Sequence, residues 1–380
     1  MPDSILFLNN AHTSLDDRTF YHQAQSLVRA GNRVTIISSR ETLNAVKENV
    51  TIDSFDRTNL SKKEEIRELK KRVQQLAPQI IVCDSPVAVL AASSAKNAAI
   101  IYDVTEWVPS KKNLRNVRGL KRIVKFFMAV ALNFYAGCKT DKFIFGEHYK
   151  SVPFRLFFWK KSIEIPYFPD LKYIQYFPAE KIANELKILY SGQLNTDKGF
   201  ENTANAVCEI ARSQPNLTVY LKIIASFAGE KEKSYFAKRT ADFPKNISIQ
   251  LIDFLPFREF CKQIGDAHLY FDLRETDAEN TRCLPIKLFY YLACGRPVIY
   301  SDLKAIRKKI TNFNFGYLVN PQDTKQIASF VNKHISDSDF YLKQCNSARK
   351  TAESEYNWQA LEKSFVDFCL QNPQSKSITS

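Results

Sequence analysis

Short apolar runs alternate with stretches of helical period along most of the chain. Ile5–Leu8 is a buried-strand run. Asp16 and Asp17 then open a helix with Phe20, Ala24, Leu27 and Val28 on one face and Gly31 just past its end. Val34–Ile37 is the next strand. Ser61 and Glu64 stand at capping-box spacing ahead of Ile66, Leu69, Val73 and Leu76, and Pro78 stops that helix. Gln79–Cys83, Ala98–Tyr102 and Lys142–Phe145 are further buried strands. The second half repeats the scheme, with strands expected at Lys187–Tyr190, Leu217–Ile224, Ile247–Leu251, Leu269–Asp272, Val298–Tyr300 and Tyr317–Val319. Strands spaced by helices predict an α/β protein built on parallel, doubly wound sheets.

The 380 residues suit two such Rossmann-like domains, with the Pro- and aromatic-rich stretch Ile165–Pro178 as their join. The expected division is 1–170, 171–355 and a terminal segment 356–380. Within that segment Trp358–Leu370 predicts a helix that packs back across the join. Two domains of this kind face a cleft, and ligands bind beyond the carboxyl ends of their strands.

An apolar share of 45% excludes a disordered chain. The start, Met1-Pro-Asp-Ser, has neither a basic n-region nor a long apolar h-region and reads as the lead into a strand. Phe126–Ala136 is the longest lipid-like run, well short of the roughly 20 residues a spanning helix needs. The eight cysteines fall in no metal-ligand spacing, which argues for reduced thiols and against a zinc site.

The net charge of +14 admits nucleic acid, an anionic membrane or phosphorylated substrates as partners, and its distribution narrows the choice. No acid lies between Glu106 and Asp141, while Lys111, Lys112, Arg115, Arg118, Lys121, Arg122 and Lys125 crowd beside Phe126, Phe127 and Met128. A second stretch mixes Arg155, Lys160 and Lys161 with Phe154, Phe157, Phe158 and Trp159. Cations beside aromatics predict contact with an anionic membrane surface. The plainer alternative is that the aromatics are core and the charges merely solvated. No nucleic-acid-binding motif accompanies the charge, so nucleic acid is not expected as a partner.

Two segments carry chemistry. In Lys187–Phe200, KILYSGQLNTDKGF, a strand enters a loop with Gly192, Lys198 and Gly199 before a helix, and a helix start with a nearby cation attracts anions. An ordinary strand-to-helix turn is the alternative. In Phe271–Asp302 a strand ends at Asp272. A loop with Arg274, Glu275, Asp277, Glu279, Asn280 and Arg282 then leads to Pro285 in the first turn of a helix that ends at Gly295. Acids suit sugar hydroxyls and cations suit phosphates. Asp337-Ser-Asp339 precedes Phe340 and reads as a helix-start turn, not a metal site.

The run PIKLFYYLACGRPVIYS resembles the donor-site helix of bacterial group 1 (family four) glycosyltransferases of the GT-B fold, and YSGQLNTDKGF resembles their Gly–Lys loop. Leu15-Asp-Asp-Arg-Thr through Ala30-Gly-Asn-Arg-Val-Thr resembles their first helix and second strand, and Tyr102-Asp-Val-Thr-Glu resembles a short acidic motif of the first domain. The resemblance touches most of residues 5–320. It departs from the family pattern at several points: Arg282 and Tyr290 stand where two glutamates are usual, Gln193 replaces an arginine, Thr105 replaces a histidine, and the first loop, Asn9–Ser14, lacks glycines.

The resemblance implies transfer of a sugar, with retention, from a nucleotide-diphosphate sugar to a glycan or lipid-linked acceptor in cell-surface glycoconjugate synthesis. With no run long enough to span a bilayer and with the basic and aromatic stretches above, the protein is expected on the cytoplasmic side, peripheral to the inner face of the membrane, and no metal or other cofactor is expected. Lys198 and Lys287 carry over as donor-phosphate ligands, in a donor set of Gly192, Lys198, Arg274, Glu275, Asn280, Arg282, Lys287 and Tyr290. Glu279, or else Glu275, would replace the first missing glutamate. An acceptor base would come from the first domain, where Asp103 and Glu106 follow one strand and His12 and Asp17 another; each type also serves as a cap or an arginine partner. The expected catalytic set is Asp103, Glu106 and Glu279. The lost glutamates leave two alternatives: a donor-binding relative without turnover, and a sugar-nucleotide epimerase.

Overall fold

The computed structural model describes residues 3–105, 117–194, 199–227, 229–277 and 280–371. The chain forms two compact units, Met1–Tyr167 with Leu361–Ser380, and Phe168–Ala360.

Unit one is built on an eight-stranded sheet. Its strands are β1 (Ser4–Asn9), β2 (Arg33–Ser38), β3 (Arg40–Lys47), β4 (Val50–Asp56), β5 (Ile80–Cys83), β6 (Ala99–Val104), β7 (Lys142–Phe145) and β8 (Lys161–Glu164), in the order β3-β4-β2-β1-β5-β6-β7-β8. All neighbours pair in parallel except β3 and β4, which are antiparallel. The sequence reading missed that hairpin. Its turn is made by Glu48 and Asn49, both at positive φ, with no glycine to announce it.

The helix expected after Asp16 is wound as a π-helix over Asp17–Ala24 and continues as α-helix over Gln25–Arg29. The expected capping box of Ser61 and Glu64 opens the Lys62–Leu76 helix. A helix from Gln359 to Leu370 buries Phe365, Phe368 and Cys369. Lys142, buried on β7, donates from Nζ to the carbonyls of Phe368 (2.7 Å) and Gln371, so one lysine closes the C-terminus of that helix.

Unit two carries six strands, all parallel: β9 (Glu185–Gln193), β10 (Thr218–Ser226), β11 (Ile247–Ile252), β12 (Leu269–Asp272), β13 (Val298–Ser301) and β14 (Gly316–Val319), ordered β11-β10-β9-β12-β13-β14. All six coincide with the predicted strands to within three residues at either end. Their core includes Ile188, Tyr190, Leu221, Phe271 and Ile299, with Phe200, Val207 and Ile210 from the Phe200–Ser213 helix packed on them. The strand order reverses between β9 and β12, which places a topological switch point at their carboxyl ends. Asp337 caps the Ser338–Ser354 helix by accepting from Phe340 N at 2.9 Å, the helix-start role read for it from sequence. Among the described residues no helix is long and apolar enough to cross a membrane.

Candidate functional site

The carboxyl ends of β9 and β12 bring together most of the described donor-side residues. Lys287 lies in the first turn of the Ile286–Ala293 helix and donates from Nζ to the Ser191 carbonyl on β9. A Cβ added at Gly192 would stand 2.9 Å from that ammonium, so the lysine head occupies the space over the glycine. Ser191 Oγ and Tyr291 OH are 2.8 Å apart, and Tyr291 stacks on Tyr270 of β12 at 4.2 Å, which fixes helix to sheet.

Gly199 starts the Phe200–Ser213 helix at φ +82°, a conformation glycine adopts without steric cost. Its neighbour is the backbone of Leu273 and Arg274: a Cβ there would meet the Leu273 carbonyl at 2.3 Å. Asn202, one turn on, donates to Leu273 O (2.9 Å) and Glu275 Oε1 (3.1 Å). Asn280 in turn donates to Glu275 O at 3.0 Å. The loop after β12 is thus tied to the N-terminus of one helix while it leads into another.

Arg274 differs from the open phosphate ligand expected of it. Its Nε donates to Asp272 Oδ1 at 2.7 Å, and its terminal nitrogen reaches Asp272 Oδ2 and, at 3.0 Å, Tyr300 OH. Tyr300 OH donates to Asp272 Oδ2 at 2.5 Å, and Ser301 Oγ to Arg274 O at 2.6 Å. Burial pushes the Asp272 carboxyl upward, but Arg274, Lys287 and the Tyr300 hydroxyl outweigh it and hold it below the usual range. Burial likewise disfavours the Arg274 cation, and Asp272 more than restores it. The charge of Arg274 is therefore largely matched by Asp272, and its contacts brace the loop after β12.

Tyr290 is buried, its ring set edge-on against Phe257 (6.1 Å) and near Phe260 (6.3 Å). It belongs to the packing of its helix, which explains how an aromatic can stand there. Arg282 ends a short 3-10 turn over Asn280–Arg282 and is exposed. Lys198 and Glu279 lie outside the described residues, as do Glu106, Lys111, Lys112 and Arg115.

In unit one Asp103 is buried at the end of β6. It accepts from Arg18 Nε (2.7 Å), Arg18 NH2 (2.9 Å) and Gln23 Nε2 (2.7 Å). Arg18 also donates to Ile165 O at 2.9 Å and lies 4.3 Å over the Tyr167 ring. Asp103 is thus bonded as the partner of Arg18, one of the roles its residue type allows. Asp84 accepts from three consecutive backbone N–H groups, Asn10 (2.9 Å), Ala11 (2.9 Å) and His12 (3.0 Å), and lies 3.2 Å from His12 Nδ1. A carboxylate thus orders the glycine-poor first loop.

Lys121, Arg122 and Lys125 are exposed on the Leu120–Lys139 helix, and Arg118 is exposed just before it. Part of the second basic-aromatic stretch is structural. Phe154 is core, Lys150 donates to Thr105 O at 2.5 Å, and Lys160 caps the end of the Leu120–Lys139 helix through Gly137 O and Cys138 O, both at 2.9 Å. Among the described residues no group of three His, Cys, Asp or Glu side chains is placed to hold a metal.

Asn202, Tyr300, Ser191 and Asp84 escaped the sequence reading. Asp272 and Arg274 did carry a signal, since residues two apart at a strand end share a face.

Two α/β units on mostly parallel sheets, with Lys287 at the switch point of the second, make the class a two-domain, Rossmann-like one, and the similar structures below give it the GT-B fold. Residues 185–337 match the family Glycosyl transferases group 1. No curated protein matches the chain by sequence. Among solved structures, sucrose-phosphate synthase (tll1590) from Thermosynechococcus elongatus is similar with TM-score 0.72 and 12% identity, over 96% of this chain and 98% of that one. Anabaena Alr3699/HepE in complex with UDP and glucose gives 0.70 and 15%, over 96% and 99%. WaaG, a glycosyltransferase involved in lipopolysaccharide biosynthesis, gives 0.67 and 13%, over 97% and 100%. The chain is a glycosyltransferase of the GT-B fold, and the match to the group 1 model lies within its second unit.

Proposed function

We propose that this glycosyltransferase moves a sugar from a nucleotide-diphosphate sugar, with retention and without a metal, to a glycan or lipid-linked acceptor. The setting is synthesis of a bacterial cell-surface polysaccharide or glycoconjugate at the inner face of the membrane. The observation that carries the reading is the meeting of Lys287, Gly192 and the Gly199 helix start at the carboxyl ends of β9 and β12. An ammonium beside the N-terminus of a helix favours the charge that gathers on a leaving diphosphate. Glu275, held by Asn202, is the described acid best set to meet a sugar hydroxyl. The UDP and glucose bound by Alr3699/HepE make UDP-hexoses the first donors to try. The exposed cations Arg118, Lys121, Arg122 and Lys125 favour contact with an anionic membrane, as a lipid-linked acceptor requires.

The test is a panel of nucleotide-diphosphate sugars offered to the full chain with glycan and polyprenyl-phosphate acceptors, reading nucleotide release and the anomeric configuration of the product. At least one donor should be consumed with retention, and Lys287→Ala should abolish the release. A panel in which no donor shifts the melting temperature or is consumed would overturn the reading.

A further inference from the structure

The Leu120–Lys139 helix is wound so that its apolar stripe faces away from the protein. At 100° per residue, Ala129, Leu132, Asn133 and Ala136 fall on one side. That side packs on the body of unit one, where Tyr102 OH donates to Asn133 Oδ1 at 3.3 Å and Ala136 is buried. Leu120, Val124, Phe127, Met128, Ala131 and Phe134 fall on the other, and all six are exposed, Phe127 at 64% and Met128 at 66%. An ordinary surface helix turns the same stripe inward.

The exposed face continues onto a second helix. Phe134 lies 6.1 Å from Phe157 and 5.3 Å from Phe158, ring to ring, at the end of the His148–Phe157 helix. Leu156 and Phe157 are exposed beside it, and Trp159 is 96% exposed. Cations border the face at Lys121 on the first helix and Arg155 on the second; Arg122 and Lys125 are also exposed but fall on the opposite side of the first helix, in its first two turns. Residues 117–140 contain no acid.

A protein partner would need a matching acidic groove of particular shape. A lipid monolayer supplies the two required chemistries in layers, with apolar tails beneath anionic headgroups. Long cationic side chains on the flanks of an apolar stripe reach headgroups while the stripe sits below them. We infer that these two helices form a membrane-inserting face, with Phe127, Met128, Phe157 and Trp159 entering the boundary between headgroups and acyl chains. The inference rests on the membrane-bound acceptor proposed above and deepens it, from attraction between charges to penetration by apolar side chains.

The test uses the full chain with vesicles of phosphatidylcholine alone or mixed with phosphatidylglycerol. Flotation with the anionic vesicles should persist in about 1 M salt, where the Debye length is about 3 Å and surface attraction is screened. Emission from Trp159, isolated by difference against Trp159→Phe, should shift to the blue and be quenched by lipids brominated along the acyl chain. The double variant Phe127→Glu, Met128→Glu should lower vesicle partitioning by roughly tenfold or more, with an unchanged melting temperature and unchanged nucleotide binding; both residues are exposed, so folding does not depend on them.

Binding lost in high salt without bromine quenching would overturn insertion and leave surface attraction standing. No binding to either vesicle would overturn the membrane contact altogether, and donor turnover in solution would show that the transferase reading survives it. A concentration-dependent dimer abolished by the double variant, with no vesicle binding, would assign the face to a second copy of the chain.

Discussion

Lys287 Nζ and the Ser191 carbonyl join across 96 residues of sequence, the lysine at the start of a helix and the carbonyl near the end of β9. The bond aims the ammonium over Gly192, where the strand gives way to the loop before the Gly199 helix. Lys287→Ala removes that charge. Nucleoside diphosphate affinity, measured by calorimetry with UDP and GDP, should fall ten- to a hundredfold. That is the scale of a charge-assisted hydrogen bond of about 1.5–3 kcal/mol. An affinity within twofold of the parent would remove Lys287 from the donor site.

Gly199→Ala should weaken both the fold and the site. Left-handed backbone costs a non-glycine residue about 1–2 kcal/mol, and the new methyl would also meet the backbone of Leu273 and Arg274, which cannot rotate aside. Gly31→Ala is the control, because Gly31 is also left-handed at φ +84° but has nothing within 4 Å of the added Cβ. Urea denaturation should place Gly199→Ala below Gly31→Ala by at least about 1 kcal/mol. Equal losses would mean that the loop after β12 yields freely.

Asp103 and Arg18 form a buried ion pair, with side chains 4% and 3% exposed. Asp103→Ala removes the carboxylate bonded to the guanidinium and leaves only the weaker pull of Asp16, since Ile165 O and the Tyr167 ring carry no negative charge to match it. Breaking a pair of this kind costs about 3–5 kcal/mol, so the unfolding midpoint should drop sharply. Turnover lost with the midpoint unchanged would instead return Asp103 to the catalytic role expected from sequence.

The parts of the molecule legible in its sequence are those set by local pattern. Strands β9, β10, β12 and β13 announce themselves as apolar runs because both faces of a parallel sheet are covered, while β11, at the sheet edge, shows instead as an alternation of apolar and polar residues. The capping box at Ser61 and the cap at Asp337 were readable for the same reason: donor and acceptor lie within four residues. The hairpin of β3 and β4 was not, because Arg40–Lys47 alternates around polar residues and turns without a glycine. β8 was hidden inside a basic and aromatic stretch that looked like surface, yet Lys160 and Lys150 there cap or brace backbone. In the site, the position of Lys287 was readable and its partner was not. The pairing of Arg274 with Asp272 shows why a list of charged loop residues overstates the number of cations a phosphate would meet.

Asp16 offers a test in which the sign depends on pH. It caps the first helical turn by accepting from Arg18 N and Thr19 N, both at 3.1 Å. Burial, and then the charge of Asp17, raise its carboxyl to about 7, against the opposing pull of His12 and the Thr19 N–H. A carboxyl raised in the folded state binds more protons there than when unfolded, so its contribution makes stability fall as pH climbs from about 4 to about 7. Below about 4 the group is protonated in both states and contributes no difference; above 7 it is charged in both and the folded state carries the whole penalty. Asp16→Asn keeps a capping oxygen and removes the charge. Because the residue retains some solvent contact, the gain at pH 8 should be on the order of 1 kcal/mol, well under what the full shift would imply. Thermal unfolding of the two proteins should therefore diverge in favour of the asparagine variant toward pH 8 and converge near pH 4. A variant less stable than the parent at pH 8 would show that the ionised carboxylate, through His12 or the helix start, stabilises the fold.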